Sequence, residues 1–147
     1  MGRTLAVDLG TRRVGLALTD PLGMIASPFA TIPFTSLDRL TAKLIDLCRE
    51  KEVDLVVVGY PVRDDGREGE GCERSRLLCQ RLAARGSACT LWDESWSSRR
   101  AEEILAAVGK TRRTAKEKVD AIAASLFLRD YLDSKALRGR GSGPGRP

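Results

Sequence analysis

No histidine occurs among the 147 residues. That absence removes Ser-His-Asp and Cys-His nucleophilic catalysis, HExxH zinc sites and every acid/base role of imidazole together. Any chemistry must run on carboxylates, lysines or cysteines. Cysteine is sparse as well: Cys48, Cys72, Cys79 and Cys89 form no CxxC pair, and Cys72 with Cys79 repeats one helical face. This is the pattern of buried thiols rather than of a metal or redox centre. No apolar run approaches membrane-spanning length, and no charged segment followed by an apolar stretch opens the chain. The expected setting is the cytoplasm, without a membrane partner.

What is present suits one domain with a real core and no need of covalent staples. Lys plus Arg number 25 against 20 Asp plus Glu, a net charge of +5, and the sequence pI is about 9.3. A modest basic excess favours polyanionic partners such as nucleic acid.

Thr4 to Leu9 reads as a strand, and Gly10-Thr11-Arg12-Arg13 as a turn into a second strand, Val14 to Thr19. Ile25 to Ile32 is a third, placed at an edge because Pro28 cannot donate to a ladder. A helix follows, with Leu37, Leu40, Leu44 and Leu47 on one face and Thr35 or Ser36 as N-cap. Val53 to Val58 is a β-branched run of the kind buried on both faces of a parallel sheet. Arg63 to Gly71 reads as a mobile loop, and a second helix carries Leu78, Leu82 and Ala83 to a stop at Gly86. Ala88 to Trp92 forms the fifth strand.

Two helices close the fold: one from Ser97 or Ser98 to Gly109, and one opened by the capping box Thr114 to Glu117 that buries Val119, Ile122, Ala123, Leu126 and Phe127. The domain is expected to span 1–135, with 136–147 a basic Gly/Pro/Arg tail lacking order. The order βββαβαβαα, with right-handed crossovers, gives an α/β fold. Its mixed five-stranded sheet has order 3-2-1-4-5, with helices on both faces.

Three sets of acids lie on elements that this topology brings together. Asp8 interrupts a central apolar strand, where an ionised group costs several kcal/mol unless paired or metal-bound; its structural alternative is an ion pair with Arg12 or Arg13. Asp93-Glu94 follows the fifth strand at its carboxyl end, the usual ligand side of an open α/β sheet. Strand four ends in Gly59-Tyr60-Pro61 without an acid, so one of that pair must reach across about 10 Å, two strand spacings; the longer Glu94 can do so over Gly59. Asp120 lies about two turns into the last helix, where Ala121, Ala123 and Ala124 permit close approach; its alternative is a pair with Lys116. Around these acids stand Arg12, Arg13, Arg99, Arg100, Lys110, Arg112, Arg113, Lys116 and Lys118, a set that a phosphate backbone would satisfy. Trp92 and Trp96 flank the acidic pair as candidates for base stacking, with Trp92 also suited to the core.

The run Asp8-Leu9-Gly10-Thr11-Arg12-Arg13-Val14-Gly15-Leu16-Ala17-Leu18-Thr19-Asp20 resembles the opening signature of the YqgF/RuvX family of RNase H-like nucleases. The resemblance continues in Val57-Val58-Gly59-Tyr60-Pro61, in Asp93-Glu94 with Ala101-Glu102, and in Lys118 to Ala124, and it covers about residues 3 to 133. It implies an RNase H-like fold and a nuclease that trims the 5′ end of precursor 16S ribosomal RNA, in a family also described as Holliday-junction resolvases. Carried over by position, the implied catalytic and metal-binding acids are Asp8, Glu94 and Asp120, with Asp20 and Asp93 as possible accessories. Ser95 stands where the family usually has Arg, so Arg99 or Arg100 would have to make any phosphate contact made there.

The expected chemistry is Mg²⁺-dependent phosphodiester hydrolysis by two metals sharing Asp8, with Mn²⁺ as a substitute. RNA is favoured over branched DNA, and the protein is a monomer or a homodimer. Two other classes remain: a phosphotransfer enzyme of the actin/sugar-kinase type, which would need a second such domain, and a non-catalytic RNA-binding assembly factor on the same fold.

Overall fold

A computed structural model of the chain describes residues 2–60, 70–93 and 112–141, with side chains within 2–59, 72–92 and 121–135. Its sheet begins as an antiparallel meander of β1 (Arg3–Leu9), β2 (Arg13–Thr19) and β3 (Ala26–Pro33). Helix α1 (Leu37–Glu50) crosses to β4 (Val53–Tyr60), parallel to β1, and α2 (Glu70–Ala84) crosses to β5 (Cys89–Asp93), parallel to β4. The strand order is β3-β2-β1-β4-β5, as the right-handed crossovers require. A helix of 30 residues, α3 (Arg112–Gly141), packs on β1, β2 and β3. None of the described helices is long and apolar enough to cross a membrane.

Period-two alternation divides the strands between two cores. Leu5, Val7 and Leu9 of β1 join Val14, Leu16, Val56 and Val58 beneath α1 and α2, which contribute Leu40, Leu44, Leu78 and Leu82. Ala6, Ala17 and Val57, one residue out of phase, face α3 through Ala124, Phe127 and Leu128. The helices thus cover both faces. β3 is the edge strand that Pro28 demanded, and Pro28 itself is exposed.

Local signals explain the start of α1 and the end of α2. Ser36 caps α1, its side chain accepting from the Arg39 N–H at 3.2 Å. At the end of α2, Gly86 adopts φ +88°, a conformation that costs an L side chain but not glycine. Gly86 N–H then donates to the Ala83 carbonyl and Ser87 N–H to the Leu82 carbonyl, the paired bonds of a Schellman turn.

The structure differs from the sequence-based expectations at four points. Helix α2 already includes Glu70 and Gly71, expected as loop; residues 61–69 lie outside the described residues. Helix α3 starts at Arg112, so Thr114 and Glu117 sit inside its first turns instead of capping it. It also continues through Gly141, so positions 137–141, expected as irregular tail, are helical, whereas 142–147 lie outside the described residues. Finally, Ile122 and Leu126 are only partly buried, and Ala121, Ala123, Ala124, Phe127 and Leu128 form the packed stripe. Ala124, Phe127 and Leu128 of α3 join Ala6, Ala17 and Val57 of the sheet in one cluster, and Ile122 and Leu126 lie outside it. The helix expected between Ser97 and Gly109 lies outside the described residues, as does Trp96.

All four thiols are free, with Cys48 and Cys72 buried and Cys79 and Cys89 half-buried. Burial pushes the Cys89 thiol above its ordinary 9.0, and its hydrogen-bonded neighbour Cys79 and nearby Cys48 push it further. Burial likewise raises Cys48, against an opposing hydrogen bond from Ser87. Both groups hold their protons more tightly folded than unfolded. Their stabilisation is complete below the unfolded values and is lost as pH climbs through the raised folded ones. The urea midpoint is therefore expected to drop as pH rises above the ordinary thiol value of 9.0, and to drop less in Cys89→Ala than in wild type.

Candidate metal and nucleic-acid site

Asp8 is the penultimate residue of the central strand and is half-buried. It lies opposite Gly15 of β2. Extending the Val7–Val58 register by one residue sets it beside Gly59, which pairs with Trp92 of β5. By alternation Asp8 shares the face of Ala6, the face covered by α3. Trp92 belongs to that face too, its ring meeting Tyr131 edge-on at 5.4 Å and 86°. Trp92 is thus a packing residue, the structural one of its two expected roles.

The direction of α3 follows from its far end. A cavity of about 470 Å³ is lined by Gly2, Thr4 and Asp54 together with Leu132, Asp133 and Lys135. The carboxyl half of α3 therefore lies at the start of β1, and its amino half points to the end of β1 that carries Asp8. Position 120 precedes Ala124, Phe127 and Tyr131 by four, seven and eleven residues, in register with the packed stripe. Asp93 ends β5 at the same sheet edge, level with Tyr60. Asp8, Asp93 and position 120 are thus brought to one edge by three elements. Glu94 lies outside the described residues, together with Ser95, Arg99, Arg100 and Lys110, and no three metal-ligating side chains converge among the described ones.

The β1–β2 turn forms the floor of this edge. Gly10 N–H donates to the Arg13 carbonyl at 2.9 Å, and Phe34 N–H donates to the Arg12 carbonyl at 2.8 Å. A Cβ at Gly10 would stand 2.6 Å from the Arg13 oxygen, so glycine is required there by the turn itself. Arg12 is exposed and Arg13 half-buried at this turn. Arg112, Arg113, Lys116 and Lys118 fall in the first turns of α3, at the end that points to the same edge.

Asp20 is not brought to Asp8. It lies in the β2–β3 turn at the opposite end of the sheet, where its carboxylate accepts from the N–H groups of Met24 and Ile25 at 2.8 Å each. The bonds from Ile25 and then Met24 hold its pKa below the usual 3.8. Its work is to close a turn. Conversely, Arg74 and Ser75 of α2 reach the site edge, although the sequence pattern does not mark them. Ser75 Oγ donates to the Gly59 carbonyl at 2.8 Å, and Arg74 Nη2 donates to the Gly10 carbonyl at 2.7 Å. Both are polar groups on a helix face that also carries Leu78, and no spacing rule separates them from a solvated face.

A family model described as "RuvX: Holliday junction resolvase" matches residues 2–134. The chain belongs to the RuvX family. RuvX relatives named "Putative pre-16S rRNA nuclease" include one from Syntrophus aciditrophicus, 40% identical over 133 residues, covering 90% of this chain and 89% of the relative. Another, from Chlorobaculum tepidum, is 39% identical over 140 residues, covering 90% and 94%. Among solved structures, T. thermophilus RuvC in complex with a Holliday junction substrate matches with a TM-score of 0.55 at 13% identity, over 92% of this chain and 96% of RuvC. The Fowlpox virus resolvase matches with a TM-score of 0.56 at 8% identity, over 90% and 98%. At such identities these two speak for architecture alone. The RuvX chain has the RNase H-like architecture expected from its sequence.

Proposed function

We propose that this RuvX chain is a divalent-metal-dependent endonuclease that processes the 5′ end of precursor 16S ribosomal RNA in the cytoplasm. The observation that carries the reading is the convergence at one sheet edge of Asp8, the end of β5 and the amino half of α3. The names of the relatives supply the substrate class.

The donor set fits Mg²⁺, a hard cation that takes carboxylate oxygens, and Mn²⁺ would substitute. Asp8, Glu94 and Asp120 would hold it, with Asp93 beside them. When bound, the metal supplies Lewis-acid stabilisation and an activated water, chemistry that suits a chain without histidine. Arg12 and Arg13 at the turn and the basic first turns of α3 would hold flanking phosphates; Arg99, Arg100 and Lys110 would add to them.

Purified protein offered a precursor 16S RNA and a four-way DNA junction, each with Mg²⁺ and with chelator, tests the reading. Chelator-sensitive cleavage of the RNA near the mature 5′ end is expected. Cleavage of the junction alone would replace this reading with the resolvase one, which the family description favours. Binding without any cleavage would make the protein an assembly factor.

Binding should also be salt-dependent. Replacing Arg112 and Arg113 by Gln is expected to weaken RNA binding. The slope of log affinity against log salt should flatten by about 0.7 for each single-strand phosphate that these side chains neutralise. Fluorescence anisotropy across a salt series measures both, and an unchanged slope would remove these residues from the interface.

A further inference from the structure

We propose that Arg74 of α2 is a positioning residue for the metal-binding turn, fixing the backbone that carries Asp8. The inference rests on the reading of Asp8 as a metal ligand. Its basis is a pair of contacts made by one guanidinium. Arg74 Nη2 donates to the Gly10 carbonyl at 2.7 Å, and the guanidinium carbon stands 4.7 Å from the centroid of the Phe34 ring.

These contacts lock the turn from outside its own chain segment. Inside the turn, Gly10 N–H donates to the Arg13 carbonyl, and the Gly10 carbonyl accepts from outside the turn. Arg74, 64 residues away in sequence, is that donor. Phe34 is itself tied to the turn, because its N–H donates to the Arg12 carbonyl at 2.8 Å. The guanidinium therefore bridges the two sides of one small unit: Gly10, the first residue past the strand that holds Asp8, and the Phe34 ring on the segment leading to α1. Asp8 is two residues before Gly10, and only Leu9, buried in the core, stands between them. A shift of the Gly10 carbonyl passes directly to Asp8.

The chemistry asks for arginine. A planar guanidinium can lie against a ring while an N–H in its plane donates sideways; a lysine ammonium can meet the ring or the carbonyl but has no plane to satisfy both. Partners that hold a metal ligand in place typically matter by about 10- to 100-fold in metal affinity or activity.

The test compares Arg74→Lys and Arg74→Gln with wild type. Arg81→Ala serves as the control, because it removes a guanidinium from the same helix that pairs only with Asp38 among the described residues. Three quantities are measured: the Mg²⁺ concentration for half-maximal cleavage, Mn²⁺ binding by thermal shift, and amide hydrogen exchange at residues 10–13. Both Arg74 variants are expected to need about tenfold more Mg²⁺, to bind Mn²⁺ more weakly, and to exchange faster in the turn, with Arg81→Ala unchanged in all three. A merely structural role would lower the melting temperature and leave the metal dependence where it was, and that result overturns the proposal. If wild type cleaves nothing, the nuclease reading fails on its own, and Mn²⁺ binding and turn exchange still decide the role of Arg74. Unchanged exchange at residues 10–13 in Arg74→Gln overturns it irrespective of activity.

Discussion

Asp8→Asn is expected to fold as wild type and to lose cleavage by roughly three orders of magnitude. The substitution keeps the side chain's size while removing its charge, and it sits at a half-buried position on the central strand. A metal contributes several kcal/mol of charge stabilisation in phosphodiester hydrolysis, and each step of about 1.36 kcal/mol is a factor of ten in rate. The same variant should lose the thermal shift that Mn²⁺ gives wild type, since a ligand stabilises only the state that binds it. Full Mg²⁺-dependent activity in a folded Asp8→Asn would be incompatible with a metal site at this edge.

The second large effect separates two neighbours. Glu94→Gln is expected to reduce cleavage by about a hundredfold or more, the upper end for losing a group that shapes a metal site, and Asp93→Asn to stay within a few-fold of wild type. The argument is parity. Asp8 lies on the face covered by α3, and so does Trp92 of β5. Side chains two apart on a strand share a face, so the prediction takes the extended backbone of β5 one residue further, where position 94 would have the parity of Trp92 and position 93 the other. The β4 segment between them brings Gly59, whose missing side chain leaves the row open. Rates of both folded variants at saturating Mg²⁺ decide the matter. An inactive Asp93→Asn beside a near-normal Glu94→Gln would reverse the assignment.

The parts of the fold legible in the sequence were those where one strong local signal sufficed. Pro28 placed β3 at an edge, the β-branched run at Val56 to Val58 marked a doubly covered strand, and Gly86 marked the end of α2. The sheet order then followed from handedness. The start of α3 was misplaced because the sequence from Thr114 to Glu117 suits a cap as well as an interior turn, and nothing local prefers one. Its stripe was displaced because burial there is decided by which side of the helix meets the sheet, where Ala124, Phe127 and Leu128 pack with Ala6, Ala17 and Val57, a tertiary effect that hydrophobicity alone ranks below Ile122 and Leu126. At the site, Asp8 was legible as a charge inside an apolar strand. Asp20, expected as an accessory acid, sits at the far end of the antiparallel hairpin, since β2 carries the chain back across the sheet. Arg74 could not be found, because its partner is a backbone carbonyl and carries no sequence signal.

The pairing of β1 with β4 also orders events in time. Val7 lies beside Val58, and the chain between them includes two other strands and α1. The β1–β2–β3 meander is made of neighbours and can close within microseconds, as hairpins do. The β1–β4 ladder must wait for a crossover of about fifty residues to be threaded, a slower step of high contact order. Until that step, Asp8 stands on the border of a three-stranded sheet, with no β4 to seat β5. An early folding species of this chain would present the meander complete and its acidic edge unassembled, so metal can lend its stabilisation only after the β1–β4 pairing is made.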